Sequence, residues 1–121
     1  MHFEERPWGN FTVLHTDENC QVKKLVVNPG KRISLQSHKF RAEHWFIVSG
    51  QGVAELDGKE VEVGPGDSMD VPINSKHRVS CGNAEPLIFV EIQTGSSFSE
   101  DDIVRYEDDF NRITFLQNLQ T

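Results

Sequence analysis

Long apolar runs are missing from this sequence, and no stretch approaches the roughly 20 residues that a membrane-spanning helix needs. The opening residues, MHFEERPWGN, also lack the basic and apolar regions of a secretory signal. Cysteine is scarce: Cys20 and Cys81 form no C-x-x-C pattern, and we interpret them as thiols in a reducing compartment, with a disulfide as the minor alternative. We therefore expect a cytoplasmic protein with no membrane association.

Positive charge is also in short supply. Twelve Lys and Arg residues stand against 19 Asp and Glu residues, which gives a formal net charge of −7. Because an acidic surface repels nucleic acid and anionic membranes, we expect neither of them as a partner. An anionic small-molecule ligand would need a local cluster of Lys and Arg side chains to overcome the overall charge.

The sequence does contain a series of short β-rich runs, each followed by turn residues. FTVLHT precedes DEN, QVKKLVV precedes NPGK, and LIFVEIQ precedes TGSS. Short strands at even spacing are typical of an antiparallel sandwich or barrel, and 121 residues is the length of one domain. We therefore predict an all-β fold with a single domain over residues 1–121.

Two local patterns refine this prediction. Asp57-Gly58 lies between VAEL and KEVEV and predicts a two-residue hairpin turn with positive φ at both residues. From Ser99 onward the sequence is first acidic and then amphipathic, which predicts a short C-terminal helix or a pair of turns against the barrel. A solvated lid and a substrate contact are both open as the role of this segment.

The segment from Gly30 to Gly50 predicts a metal site. Gln36 and His38 are two residues apart, so they point to the same face of a strand. Glu43 follows after a loop-length interval and faces back toward them from the neighbouring strand, and His77 opens a later strand. These four side chains suit one divalent ion with open coordination positions. Zinc is the first expectation, with manganese, cobalt, nickel or iron as alternatives, and a metal-free relic is the competing interpretation.

The same residues lie in two stretches that resemble the cupin motifs. Gly30 to Gly50 resembles G-x5-H-x-H-x4-E-x6-G, and Gly66 to His77 resembles G-x5-P-x-G-x2-H, with every spacing matched. Gln36 stands in place of the first His and Asn74 in place of a Gly, and Asn tolerates the left-handed turn conformation. The resemblance implies a cupin jelly-roll barrel.

Longer strings narrow the resemblance further. They are Arg6-Pro7-Trp8-Gly9, SLQSHKFRAEHW, VPINSKHRV and LIFVEIQTGSSFSEDDIVRYEDDFNR. Together they resemble the type II phosphomannose isomerase cupin, which forms the C-terminal part of bifunctional mannose-6-phosphate isomerase/mannose-1-phosphate guanylyltransferase enzymes and also occurs alone. The resemblance implies a metal-dependent isomerase that interconverts mannose 6-phosphate and fructose 6-phosphate by proton transfer between C1 and C2. Another metal-dependent cupin enzyme, such as a dioxygenase, and a non-enzymatic sugar-phosphate-binding cupin are the alternatives.

The bifunctional enzymes also need a nucleotide-binding domain with a Gly-rich phosphate loop. The sequence has no such loop, so we expect no nucleotidyl transfer by this chain alone. A sugar phosphate needs nearby cations, and four are candidates: Lys31 and Arg32 for substrate binding, Arg41 and Arg105 as catalytic residues. We expect Arg41 to act beside the metal and Arg105 to anchor phosphate, although Arg105 could instead pair with nearby carboxylates.

Two further questions stay open at the level of sequence. The general base could be Glu91, Glu55, Lys76 or a metal-bound hydroxide.

A small barrel has unpaired strand edges, which natural proteins usually cover with other parts of the structure. We therefore also predict a two-fold homodimer in which residues before about Thr16 contact the partner.

Overall fold

The computed structural model describes residues 1–112, and these residues form eleven strands. In chain order the strands are β1 (His2–Arg6), β2 (Gly9–Thr16), β3 (Cys20–Val27), β4 (Leu35–Ser37), β5 (Arg41–Ser49), β6 (Gly52–Leu56), β7 (Lys59–Val63), β8 (Ser68–Val71), β9 (His77–Cys81), β10 (Leu87–Gly95) and β11 (Val104–Glu107). One sheet has the order β1-β2-β3-β10-β5-β8 and the other β11-β4-β9-β6-β7, with antiparallel pairing between neighbours. The predicted all-β fold is confirmed.

The inner face of the six-stranded sheet changes from apolar to polar along its strands. In β10 the inward residues run Leu87, Phe89, Glu91 and Gln93, and all four are buried. Antiparallel pairing places apolar residues of β3 and β5 beside the first two and polar residues beside the last two. Trp45 lies at the boundary, opposite Glu91. The barrel therefore has a conventional hydrophobic core at one end and a buried polar cluster at the other.

Both predicted turn features are present. Asp57 and Gly58 have φ values of 49° and 87° and join β6 to β7 in a two-residue hairpin. Asn74 has a φ of 68°, so it adopts the left-handed conformation for which the motif uses glycine. Its backbone N–H donates to the carbonyl of His38 at 2.8 Å, and this turn therefore connects the two stretches that carry candidate ligands.

The chain after Ser99 differs from the expected helix. Between Ser99 and Arg112 it forms turns and the strand β11, and residues 113–121, the rest of the expected helical segment, lie outside the described residues. A strand forms here instead of a helix because β11 pairs with β4 and satisfies the hydrogen bonds of the backbone groups along that edge. The part of the chain that the structure describes also has no helix long and apolar enough to cross a membrane.

A hairpin turn at Pro7 and Trp8 holds the N-terminal strand against the sheet. Trp8 is buried, and Gly9 begins β2 in close contact with β3. A Cβ atom at Gly9 would lie 1.9 Å from the backbone oxygen of Val26. β1 is an edge strand of the six-stranded sheet. The homodimer through this region stays a prediction, which a measured molar mass would decide.

Gly9→Ala should destabilise the protein strongly, because the new methyl group meets backbone that cannot move aside. We expect overpacking of about 1–3 kcal/mol in addition to the conformational cost. Gly58→Ala is the matched control: φ is also positive there, but nothing lies within 4 Å of the added Cβ, so only about 1–2 kcal/mol of conformational strain is expected. Chemical denaturation measures both values, and equal losses would contradict the close approach at Gly9.

Candidate metal centre

Three of the four predicted ligands come together in the polar end of the barrel. The ligand atoms of His38, Glu43 and His77 all lie within 4.8 Å of one another, and all three residues are buried. The His38 Nε2 to Glu43 Oε2 distance is 3.4 Å, and the His77 Nε2 to Glu43 Oε1 distance is 3.7 Å. Ligand atoms about 2.0–2.2 Å from a shared ion must be separated by distances of this order. The three residues come from the end of β4, from β5 and from the start of β9.

Both histidines present Nε2 to this cluster. His38 Nδ1 lies 2.7 Å from the backbone oxygen of Asp102, and His77 Nδ1 lies 2.9 Å from that of Ser75. Because a carbonyl oxygen can only accept, each Nδ1 carries the proton and each Nε2 keeps its lone pair. Burial lowers the pKa of His38 to about 3, with the positive charge of Arg41 adding to the effect, and burial also lowers the pKa of His77. Both imidazoles are therefore in the neutral form that binds metal.

Gln36 lines the same cavity as Glu43 and His77 and pairs with His77 across the sheet. Its amide nitrogen donates to the backbone oxygen of Ser34 at 3.2 Å and to the Ser34 hydroxyl at 2.9 Å. These bonds engage the nitrogen and leave the amide oxygen as the atom that could bind a metal. Two neutral imidazoles, one carboxylate and one amide oxygen form a donor set that fits a divalent ion.

Arg41 is buried directly against the candidate ligands. Its Nε donates to Glu43 Oε2 at 3.0 Å, and one terminal nitrogen donates to the backbone oxygen of Ser99 at 3.2 Å. The other terminal nitrogen lies 3.4 Å from His38 Nε2, where it can donate to the lone pair that would bind a metal. Arg41 therefore lies beside the candidate ligands, and its catalytic role stays a prediction.

Glu91 forms a buried carboxyl pair with Glu43. The indole nitrogen of Trp45 donates to both residues, at 3.0 Å to Glu43 and 3.1 Å to Glu91, and Gln93 donates to the second Glu91 oxygen at 2.9 Å. Burial raises the pKa of Glu91 to about 8, and the charge of Glu43 adds to the effect. Glu91 is therefore protonated at neutral pH when no metal is bound. It lines the cavity, whereas Glu55, another of the groups left open as the base, does not.

The cations at the cavity are only partly those that the sequence predicted. Arg105 lines it, but Lys31 and Arg32 do not. Arg32 is instead held by Asp109, to which its Nε and one terminal nitrogen each donate at 2.8 Å. The cavity also has cationic lining residues that the sequence analysis missed: Arg6, Lys23 and Arg112. They come from distant parts of the chain, and no local spacing connects them.

His77→Ala should remove the bound divalent ion and lower the melting temperature, because an ion that binds the native state stabilises it by mass action. His44→Ala is the matched control, since His44 points outward and pairs with Asp70 at 2.6 Å. Metal content after dialysis and thermal unfolding measure the two effects. Equal metal content in the two variants would exclude His77 from the site.

Glu91→Gln should flatten the pH dependence of stability in chelator-treated protein. Below about pH 4.5 the carboxyl group is protonated in both states, whereas between about 4.5 and 8 only the unfolded chain releases the proton. The free energy of unfolding of the parent should therefore fall relative to the variant by about 1.4 kcal/mol per pH unit across this window. Glu62→Gln on the surface should keep the parent slope, and a Glu91→Gln slope equal to it would contradict a protonated Glu91.

Comparison with known proteins finds relatives that are much longer than this chain. It is 37% identical over 114 residues to the mannose-1-phosphate guanylyltransferase ManC of Salmonella typhimurium, covering 93% of this chain and 24% of that protein. It is 42% identical over 107 residues to the alginate biosynthesis protein AlgA of Pseudomonas aeruginosa, covering 88% and 22%. The chain thus spans about a quarter of the length of these relatives. Among solved structures, an RmlC-like cupin from Shewanella frigidimarina matches with a TM-score of 0.71 at 19% identity, covering 83% of this chain and 86% of that one, which supports the cupin fold.

These relatives correct the functional expectation. A simple isomerase that interconverts mannose 6-phosphate and fructose 6-phosphate is the wrong description, because the relatives at 35–42% identity are named as guanylyltransferases and as alginate or xanthan biosynthesis proteins. The coarser expectation, that the chain belongs to a family of enzymes, is confirmed. Residues 1–108 match a single family model, and the chain belongs to the family described as mannose-6-phosphate isomerase C-terminal.

Proposed function

We propose that the chain is the metal-dependent sugar-phosphate unit of a mannose-1-phosphate guanylyltransferase system. In this system a guanylyltransferase unit, on the same polypeptide or on another, performs nucleotidyl transfer, and the cupin performs aldose–ketose isomerisation of a hexose phosphate. The observation that carries the proposal is the buried cluster of His38, Glu43 and His77, because Glu43 and His77 line a cavity that is also lined by arginines. The family relation supports the same assignment.

One divalent ion, with zinc as the first candidate and manganese, cobalt, nickel or iron as alternatives, would be held by Gln36, His38, Glu43 and His77. Such an ion would polarise the substrate carbonyl group when bound. The protein supplies a rigid, dry surrounding for it: His38, Glu43 and His77 are each less than 5% exposed. Each histidine is also oriented by a backbone carbonyl through Nδ1, which fixes the tautomer that binds metal.

Two groups beside the ligands are proposed to act on the substrate. Arg41 places a guanidinium within 3.0 Å of Glu43, where it would stabilise the negative charge that develops as the sugar loses its proton. Glu91 is a carboxyl group that lines the cavity outside the ligand set, and we assign to it the proton transfer between C1 and C2. Arg105 is assigned to the phosphate group, whereas Lys31 and Arg32 lie away from the cavity and receive no role. A cytoplasmic homodimer belongs to the same proposal.

The proposal predicts metal-dependent exchange of solvent hydrogen into the sugar. Purified protein loaded with each metal in turn is incubated with mannose 6-phosphate in deuterated water, and deuterium at C2 of the recovered mannose 6-phosphate is measured by mass spectrometry. Arg41→Ala should lose roughly 10²–10³ in kcat while it keeps its metal, because a single donor aimed at developing charge has that typical effect.

Arg32→Ala is the matched control, because it removes an arginine of the same charge from outside the cavity, and it should turn over like the parent. Retention of the substrate hydrogen at C2 during turnover would indicate hydride transfer and contradict the role of Glu91. If no metal supports turnover in the parent, the isomerisation step is excluded. If Arg41→Ala matches Arg32→Ala, the role of Arg41 is wrong.

A further inference from the structure

Five cationic side chains line one cavity in a protein with a net charge of −7, and one of them, Arg41, lies against the candidate ligands. Outside the candidate ligand region these are Arg6, Lys23, Arg105 and Arg112, which come from β1, β3, β11 and the segment that follows it. Like charges gathered in one partly buried place raise the free energy of the folded state unless something compensates them. The arrangement therefore calls for negative charge, either from the protein or from a ligand.

The positive charge of Lys23 is compensated by a carboxylate of the protein itself. Its ammonium group pairs with Glu100, which also lines the cavity, at 2.5 Å, and it lies 4.3 Å from the ring centroid of Phe11. Lys23 and Glu100 therefore compensate each other within the lining of the cavity. The remaining cationic lining residues outside the candidate ligand region are the three arginines.

Arg105 has no direct carboxylate partner among the described residues, and Asp108 and Glu100 act on it only from beyond ion-pair distance. Among residues 1–112 it takes part in no ion pair, and its Nε, which is buried, has no hydrogen-bond partner there. A buried donor without an acceptor is costly, and it is uncommon in native structures unless a ligand or solvent completes it. Burial lowers the pKa of Arg105, and the positive charges of Arg112 and Arg6 add to this effect, whereas the carboxylates of Asp108 and Glu100 oppose it. All three arginines line the same cavity.

Arg6 and Arg112 are oriented by carboxylates that do not line the cavity. Arg6 donates to Glu4 at 3.2 Å, and Arg112 donates to Asp108 at 2.7 and 3.1 Å. A guanidinium has five N–H groups, so each arginine keeps donors beyond those that its carboxylate uses. Arg6 Cζ also lies 5.1 Å from the ring centroid of Phe11, which further supports its side chain.

The arginines lie close to the candidate metal ligands. Arg105 is the register partner of Gln36, so adjacent strands carry a guanidinium group and a candidate ligand side by side. Gln36, Glu43 and His77 line the same cavity as the three arginines. A single small ligand with an anionic group at one end and carbonyl or hydroxyl oxygens at the other could contact both.

We propose that Arg6, Arg105 and Arg112 form a subsite for the phosphate group of a phosphorylated sugar, with the N-terminal hairpin supplying Arg6. Planar guanidinium groups match the oxygens of a phosphate dianion through paired hydrogen bonds. The identity of the sugar rests on the proposed function, whereas the binding of phosphate does not.

The test measures binding to metal-loaded protein by titration calorimetry, with mannose 6-phosphate, inorganic phosphate and unphosphorylated mannose as probes. Arg6→Gln and Arg112→Gln should each weaken binding of the two phosphate-containing probes by at least tenfold and leave metal content and mannose binding unchanged. Arg32→Gln, outside the cavity, should bind all probes like the parent. Arg112→Lys keeps a positive charge beside Asp108, so a loss of phosphate affinity in that variant would reflect the lost guanidinium rather than an unpaired carboxylate.

The subsite is overturned if Arg6→Gln and Arg112→Gln bind the phosphate-containing probes like Arg32→Gln, or if they weaken mannose binding to the same extent. Its failure can be told apart from failure of the proposed function. If the parent shows no isomerisation but Arg6→Gln and Arg112→Gln selectively lose affinity for the phosphate-containing probes, the subsite is supported and the reaction is excluded. A normal kcat/KM for Arg6→Gln and Arg112→Gln would support the reaction and exclude the subsite.

Discussion

The buried carboxylate of Glu43 is the group on which the polar end of the barrel depends. One of its oxygens accepts from Trp45 at 3.0 Å and lies 3.7 Å from His77, and the other accepts from Arg41 at 3.0 Å and lies 3.4 Å from His38. A buried charge is tolerated only when it is paired and hydrogen-bonded in this way. Without Glu43, Arg41 would lose its carboxylate partner and both histidines would lose the acidic group between them.

Strand alternation explains how so many polar groups occupy the interior of so small a barrel. Successive residues point to opposite faces, so Glu91 and Gln93 must share the inner face with Leu87 and Phe89. The register of the antiparallel strands then gathers polar residues of β3, β5 and β10 at one level. The polar groups are satisfied there by one another, through bonds such as that from Gln21 to Gln93 at 2.9 Å.

Features fixed by short-range geometry could be predicted from the sequence. The turns at Asp57 and Asn74 follow from residue type, and the approach of His38 to Glu43 follows from the short interval between them. Long-range placement could not be predicted in the same way. The convergence of Arg6 and Arg112 depends on how the two sheets close, and the strand after Ser99 depends on an open edge of β4, which no local pattern in that segment reveals. Arg32 is near the metal ligands in sequence, yet Asp109, far along the chain, holds its guanidinium.

The division of the interior at Trp45 has a consequence for how such a barrel can change over evolutionary time. Val27 and Leu87 are fully buried at one end and do not line the cavity of the candidate ligands at the other end. Substitutions in the polar end can therefore alter which ion or substrate is accepted while the hydrophobic end keeps the chain folded. An architecture that separates stability from chemistry in this way is evolvable, because new specificities can arise without a new fold.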